Sequence, residues 1–486
     1  MNRPIRTVSL FCLALFLALM INATYLQFWR AGALDDDPRN QRVQQASYSS
    51  ERGAILVGRT PVAESVPSDD RYEFQRRYPA PLMYAPLTGY FTFGNATGLE
   101  SAQNSVLSGE DPRFFVRNLV DLVSNEQQNG GSVELTINAK AQRAAFEGLS
   151  ALGDGVEGSV VALEPSTGKV LAMVSLPTFD PNDLASHDFG AVDDTYADLL
   201  DDPGDPLLNR AVQTRIAPGS TFKLVTAAAA LESGKYDSAD SLVPGGATFQ
   251  LPQTSGDSGV VDNEGRACGT DEITFRQAME QSCNTTFAQL AIEVGAEKML
   301  EQAEKFGFNA DYLEDLPGQA RSVYPSQVNP PQLGQTGFGQ FEVQATPLQM
   351  AMVAASIAND GVVMRPYVVS EVQSPDYDAE TADPEELSEA VDPQAADVLT
   401  ELMVSTVDDG TASPAAIPNV AVAGKTGTAQ RGVPGEPPYA WFVSFAPATD
   451  SQVAVAVMIE EAPGQEIAGG RLGGPIAKAV MEAIIS

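Results

Sequence analysis

Residues 7–28, TVSLFCLALFLALMINATYLQF, contain no charged side chain. A helix of about 20 apolar residues is what a bilayer core requires. Arg3 and Arg6 precede the run, and Trp29 and Arg30 follow it. Basic residues ahead of the span predict a cytoplasmic N-terminus and an exported remainder. The rival reading is a cleaved signal peptide, because Ala31-Gly-Ala33 resembles a small-residue cleavage site. The run is long for a signal peptide and Arg30 interrupts the approach, so the expectation is an uncleaved single-pass anchor. Cys12 lies within it as a small apolar residue.

Everything downstream must then fold outside the cytoplasm. The 486 residues suffice for several domains. Net charge is −35, which argues against nucleic-acid partners because phosphates would be repelled. His187 is the only histidine, so a Ser-His-Asp triad would have to use it and a His-rich metal site cannot be built. The three cysteines include no Cys-x-x-Cys, which leaves a structural zinc site without support. No metal and no cofactor are expected.

Past the span, residues 34–40 (LDDDPRN) read as a polar linker. Alternation in RGAILVGRTPVAES predicts a strand pair, and Val133 to Asn138 a further strand. Ala139 to Leu152 looks helical. Gly158 to Ser175 reads as a hairpin turning at Pro-Ser-Thr-Gly. Residues 183–205, with eight aspartates, read as an acidic loop that carries His187 on its surface. Residues 244–270 form a Gly/Pro/Ser-rich stretch, and 374–392 a solvated acidic excursion. Helices are expected at 274–281, 285–295, 296–306, 346–359 and 475–485, and apolar strands at 439–447 and 452–460. The domain expectation is therefore a tail (1–6), an anchor (7–28), a non-catalytic domain (29–135) and a catalytic domain (136–486).

The chemistry centres on Ala217-Pro-Gly-Ser-Thr-Phe-Lys-Leu-Val, which opens a helix ending near Gly234. Ser220 falls in its first turn. Lys223, three residues on, shares its face. The helix start adds free N–H groups and partial positive charge. A serine needs a base to act as nucleophile, and a lysine can serve only if its pKa falls from about 10.4 toward neutrality. Taken alone, Ser-x-x-Lys is common and more often marks a capped helix whose lysine reaches solvent.

Two further motifs change that balance. Ser282-Cys-Asn284 lies between helices and offers a hydroxyl and an amide. Ala421 to Ala429 alternates as a strand carrying Lys425-Thr426-Gly427-Thr428. Lys425 and Thr426 can hold a carboxylate, and Gly427 lets a substrate approach the backbone. The N–H groups of Ser220 and Thr428 can form an oxyanion hole, each typically worth about 3–4 kcal/mol in the transition state. Lys425 can also depress the pKa of Lys223. A phosphate-binding loop is excluded at Gly424-Lys-Thr426, because Asn419 stands where that motif needs glycine. Gly256-Asp-Ser-Gly259 lacks the following glycine of the chymotrypsin-like pattern and is read as a loop.

Ser-x-x-Lys, Ser-x-Asn and Lys-Thr-Gly-Thr in this order resemble the motif set of penicillin-recognising enzymes. Arg52-Gly-Ala-Ile55, Tyr78-Pro, Thr88-Gly-Tyr90, Gly98-Leu-Glu100, Val161 to Asn182, Gly337-Phe-Gly-Gln340 and Thr346-Pro-Leu-Gln349 extend the likeness along the exported length. The chain thus resembles a class B penicillin-binding protein, of the actinobacterial A branch. The resemblance implies an α+β protein: a membrane helix, a mixed α/β pedestal, then a transpeptidase domain with an antiparallel sheet flanked by helices. It implies that Ser220 attacks the D-Ala–D-Ala bond of a peptidoglycan stem peptide, or a β-lactam. Lys223 would be the base, Ser282 and Lys425 would return a proton, and Asn284 would hold the substrate amide. Thr426 and Thr428 would grip the terminal carboxylate. A membrane glycan polymerase is the implied partner. Related hydrolases (a D,D-carboxypeptidase or a β-lactamase) and a non-catalytic scaffold are the alternatives. Cys283, within Ser-x-Asn, can pair with Cys268 in an oxidising compartment, or both can stay free buried thiols.

Overall fold

A computed structural model describes residues 2–30, 48–114, 129–375, 379–433 and 435–485. The linker 34–40 and the small-residue site at 31–33 lie outside the described residues. The helices used below are α1 (Asn2–Phe28), α2 (Ala139–Ser150), α3 (Phe189–Asp201), α4 (Lys223–Glu232), α5 (Phe275–Glu280), α6 (Asn284–Val294), α7 (Pro347–Ile357), α8 (Pro393–Asp408) and α9 (Gly474–Ile485). The strands are β1 (Ile55–Val57), β2 (Thr60–Pro67), β3 (Phe74–Arg77), β4 (Ser132–Leu135), β5 (Glu157–Leu163), β6 (Val170–Leu176), β7 (Val369–Gln373), β8 (Ala379–Thr381), β9 (Ala423–Ala429), β10 (Tyr439–Ala446) and β11 (Val453–Glu461).

The apolar N-terminal run is a single helix of 27 residues. At 1.5 Å per residue it is long enough to cross a bilayer. Its large apolar side chains are exposed, Phe16 at 68% among them. Such exposure is unfavourable in water and suits a lipid environment.

The catalytic half is built on one antiparallel sheet, ordered β9-β10-β11-β5-β6. Both faces are covered, so its inner strands read as unbroken apolar runs rather than as alternation. Val161, Met173, Trp441, Val443 and Met458 face the large core that holds α4 and α7. Their chain neighbours Val160, Ala172, Val174, Phe442 and Val457 face a second core with α2 and α9. Burying each such Val or Phe side chain contributes roughly 1.5–3 kcal/mol. Asn138 caps α2 by accepting from the Lys140 and Ala141 amides. The β5–β6 pair is the hairpin expected from its turn residues.

A second, six-stranded sheet has the order β8-β7-β4-β1-β2-β3. Strands β1 and β2 are the pair expected from alternation. Strands β7 and β8 come from late in the chain, so this sheet joins segments on both sides of residue 136. The acidic excursion is therefore partly structured: Ala379–Thr381 pairs with β7, and Glu386–Glu389 pairs with Val362–Met364. Its exposed acids stay in water while the backbone supplies the ladder.

Two further expectations are corrected. Residues 183–205 are not simply a loop, because they contain α3. Asp188 caps it, and Val192, Tyr196 and Leu199 form its packed face. Nor does His187 lie on the surface: its side chain is 8% exposed, packed against Tyr48 and Tyr72. Its Nδ1 lies 2.5 Å from Asp70 Oδ2. The tertiary partners that bury it come from over 100 residues earlier, which no local pattern discloses.

A buried ion cluster includes Arg76 of strand β3 of the second sheet. Arg52 Nε donates to Glu100 Oε2 at 2.7 Å and Arg76 Nε to Glu100 Oε1 at 2.6 Å. Burial pushes the Glu100 carboxyl up, but Arg76 and Arg52 outweigh it and hold the group below its ordinary value.

Candidate active site

Ser220 sits in a tight turn, Gly219–Phe222, that leads directly into α4. The expectation of a serine at the helix start is met, with a 3₁₀ turn in place of the first α-turn. Gly219 has φ +52°, a conformation that glycine adopts without strain. A Cβ there would lie 2.5 Å from the Thr428 carbonyl oxygen, so the turn is pressed against edge strand β9. Trp441 Nε1 donates to Ala217 O at 2.9 Å, and Gly219 N to Gly339 O at 3.1 Å. Sheet and turn 337–341 thus fix the turn from two sides.

Lys223 is fully buried and does not reach solvent. Its Nζ donates to Ser282 O at 2.7 Å, to Asn284 Oδ1 at 2.7 Å and to Ser282 Oγ at 3.1 Å. Lys425, also fully buried, comes from β9 and donates to Ser282 Oγ at 2.9 Å and to Thr426 O at 2.9 Å. One serine hydroxyl therefore accepts from both amines. A hydroxyl has two acceptor lone pairs and one proton. With both lone pairs engaged, the Ser282 proton is the part left to pass to a substrate.

Burial is the main cause that drives the Lys223 amine well below its ordinary value, and Lys425 and Arg266 add to it. Burial and Arg266 bring Lys425 to about 7. A neutral lysine amine has two N–H groups and a lone pair, so it keeps two of the three contacts that the ammonium form makes and frees a lone pair, which is what a base for Ser220 needs.

Ser282 holds φ +53°, in the left-handed region. Such a conformation in a non-glycine residue persists only where its surroundings over-determine it. Here the surroundings are specific. Cys283 is joined to Cys268 by a disulfide. Asn284 Nδ2 donates to Asp262 O at 3.1 Å. Thr285 N donates to Asn263 Oδ1 at 3.0 Å, and Asn263 Nδ2 returns a bond to Thr285 Oγ1 at 3.0 Å.

These motifs open on a cleft of about 340 Å³. Ser220, Ser282, Asn284, Thr426 and Thr428 all line it. Gly427 is buried behind them, where a Cβ would lie 2.8 Å from that of Trp441. Thr426 Oγ1 is paired with Thr411 Oγ1 at 2.8 Å, and Thr428 is exposed toward the opening. The structure brings every expected site residue to one place.

Sequence reasoning missed the cleft's other walls. Asp262, Glu264 and Arg266 come from the stretch read as Gly/Pro/Ser-rich, Gln340 from a stretch noted only for its likeness, and Phe341 from just beyond it. The one usable signal is Cys268, which ties that stretch to Ser282-Cys-Asn284. Among the described residues, no group of three His, Cys, Asp or Glu side chains converges as a metal site would.

This fold and motif geometry define a serine acyltransferase of the penicillin-recognising type. The chain belongs to the penicillin-binding protein transpeptidase family: the family's transpeptidase domain matches residues 158–482. A penicillin-binding protein A dimerisation domain matches residues 52–133. The chain is 42% identical to the peptidoglycan D,D-transpeptidase PbpA of Mycolicibacterium smegmatis, across 100% of this chain and 99% of that one. It is 41% identical to PbpA of Mycobacterium tuberculosis at the same coverage. Penicillin-binding protein A of M. tuberculosis, solved as a penicillin G acyl-enzyme complex, superimposes with TM-score 0.83 and 39% identity, over 90% of this chain and 100% of that one. Its ceftriaxone acyl-enzyme complex gives TM-score 0.85 and 40% identity, over 90% of this chain and 99% of that one.

Proposed function

We infer that the protein is a peptidoglycan D,D-transpeptidase that cross-links stem peptides through a serine acyl-enzyme and is inhibited when β-lactams acylate the same serine. The observation that carries the role assignment is the Ser282 hydroxyl, 3.1 Å from Lys223 Nζ and 2.9 Å from Lys425 Nζ in one cleft with Ser220. In this reading neutral Lys223 takes the Ser220 proton as Oγ attacks the carbonyl carbon of the penultimate D-Ala. The N–H groups of Ser220 and Thr428 hold the oxyanion. The C–N bond breaks, and the leaving D-Ala amine takes a proton through Ser282, backed by Lys425. Thr426 and Thr428 grip the terminal carboxylate, Gly427 admits the peptide beside β9, and Asn284 holds its amide. An amine of a neighbouring stem then attacks the ester and frees Ser220.

The same reading places residues 1–6 in the cytoplasm, 7–28 across the cell membrane, 29–135 as a pedestal and 136–486 as the catalytic domain outside. A lipid-linked glycan polymerase is the partner such an anchor would meet.

Intact-mass measurement of the full-length protein in detergent, incubated with penicillin beside Ser220→Ala, tests this. A single persistent adduct in the wild type, absent from the variant, is expected. An adduct that vanishes with drug turnover would replace the transpeptidase with a hydrolase. No adduct in folded protein would overturn the acyl-enzyme reading.

A further inference from the structure

The Asn284 carboxamide meets Lys223 end-on, and its two ends differ. Oδ1 accepts from Lys223 Nζ at 2.7 Å. Turned over, the same side chain would present an N–H to the amine instead. A neutral amine would accept that N–H with its lone pair, and the lone pair is what Ser220 needs. The chemistry therefore depends on something that tells the two ends of this amide apart.

That something is the Asp262 carbonyl. Asn284 Nδ2 donates to Asp262 O at 3.1 Å. A backbone carbonyl only accepts. With the amide reversed, two oxygens would face each other there with no proton between them. Asp262 O thus selects the orientation seen, with oxygen toward Lys223 and nitrogen away from it.

The next residue holds that carbonyl in place. Asn263 is 2% exposed, and both ends of its side chain are bonded. Its Oδ1 accepts from Thr285 N at 3.0 Å, and its Nδ2 donates to Gly246 O at 2.8 Å. Its own carbonyl accepts from Arg266 N at 3.0 Å and from Arg266 Nε at 2.7 Å. Thr285 lies in the first turn of α6, whose N-cap residue, Cys283, is spent in the disulfide and makes no capping bond. Asn263 caps the helix instead, from 22 residues earlier in the chain. That bond ties the segment carrying Asp262 O to the residue that follows Asn284.

We propose that Asn263 is a positioning residue for the acylation step. By capping α6 it seats the Asp262 carbonyl, which keeps the Asn284 oxygen toward Lys223 and leaves the Lys223 lone pair free for Ser220. Asn263 lies in none of the three motifs and does not line the cleft; it acts through Asp262 O and Asn284. The proposal rests on the transpeptidase reading, in which Lys223 is the base.

A double-mutant cycle separates this role from mere support of the loop. Full-length protein in detergent is incubated with penicillin, and adduct growth is timed by intact mass over a day. Asn263→Ala should slow acylation roughly fivefold or more, as the loss of a buried hydrogen-bonding partner does. In the Asn284→Ala background there is no carboxamide to turn over, and the same change should matter less than about twofold. Asn263→Ser keeps a capping oxygen and should fall between alanine and wild type. It carries the same cycle if the alanine variant does not fold. Equal slowing in both backgrounds means a loop that merely supports the turn, and overturns the proposal. So does unchanged acylation in Asn263→Ala. The crystal structure of that variant gives a second reading that needs no rates. Asp262 O should lie out of hydrogen-bond reach of Asn284, with Ser282 and the disulfide still in place. Asn284 still bonded to Asp262 O overturns the proposal as well. No adduct in the wild type would instead sink the transpeptidase reading, and this proposal with it.

Discussion

Lys223 and Lys425 donate to the same oxygen, Ser282 Oγ, at 3.1 and 2.9 Å, and both amines are fully buried. Two ammonium groups so placed repel each other and lack solvent to screen them. The stable arrangement near neutrality keeps at least one of them uncharged, which turns an electrostatic cost into a base.

The first consequence is a pH profile. Burial, with Lys425 and Arg266, depresses the Lys223 titration, so the neutral base is populated at a lower pH than an ordinary lysine allows. Acylation by penicillin should rise with pH through that depressed titration and level off well before pH 10. A rate still climbing at pH 10 would show an unperturbed lysine. Lys223→Ala should lose about 10²–10⁴-fold and the pH dependence together, as removal of a general base does.

Lys425 makes a stability prediction. Its folded-state value is about 7, against about 10.4 unfolded. Between those values the unfolded chain binds more protons, so this lysine's contribution makes stability rise with pH from about 7 to 10. Lys425→Met removes the titration and keeps the volume. It should acylate poorly, yet melt above wild type at pH 7, with the gap closing toward pH 10. Calorimetry across that range checks the sign.

Gly339 tests the seating of the Ser220 turn. It has φ +74°, and a Cβ on it would lie 2.1 Å from the Gly219 carbonyl oxygen. Gly339→Ala must displace that oxygen and the serine behind it. The variant should fold with a lowered melting temperature and acylate at least tenfold more slowly, although residue 339 bears no reacting group. Unchanged acylation kinetics would mean that turn 337–341 does not position Ser220.

The disulfide should act on both stability and catalysis. Cys268 and Cys283 enclose 15 residues of sequence separation. A loop of that size contributes about 3 kcal/mol in the chain-entropy model. The double variant Cys268→Ala, Cys283→Ala should melt lower and acylate more slowly, because the left-handed Ser282 loses one of its restraints. Wild-type melting and acylation in the double variant would assign the bond no such role.

Glu100 carries a prediction for the ion cluster at the six-stranded sheet. Glu100→Gln leaves Arg52 and Arg76 buried without their shared anion. Removing one partner of such a cluster typically costs about 3–5 kcal/mol. Because the Glu100 carboxyl lies below its ordinary value, its contribution is present above about pH 4 and is lost as pH falls through the folded-state value. The variant's deficit in melting temperature should therefore be full at pH 7 and shrink in acid.

Much of this site is legible in the amino-acid order. Ser220, Lys223, Ser282, Asn284 and Lys425 to Thr428 converge on the cleft, and each sits in a short motif whose spacing is set by one local element. The helix starts, the β5–β6 hairpin and the C-terminal strands are readable for the same reason. The missed parts are those whose meaning depends on distant partners. Residues 244–270 read as filler, since Gly, Pro and Ser give no periodicity, yet they supply Asp262, Glu264 and Arg266 to the cleft wall. His187 reads as exposed among aspartates, and only Tyr48, Asp70 and Tyr72 bury it.

Local sequence suffices for an apolar spanning helix, a buried two-faced sheet and three separate catalytic motifs, because hydrophobic period, turn chemistry and i to i+3 spacing act over a few residues. It takes the folded chain to establish that Lys223 and Lys425 share one hydroxyl, that Ser282 is held left-handed, and that β7 and β8 complete a sheet begun some 300 residues earlier. Those facts depend on desolvation and on contacts between segments far apart in the chain. Desolvation exists only once the core has closed, which is why the perturbed lysines, and the reactivity they confer, belong to the fold and not to the motif.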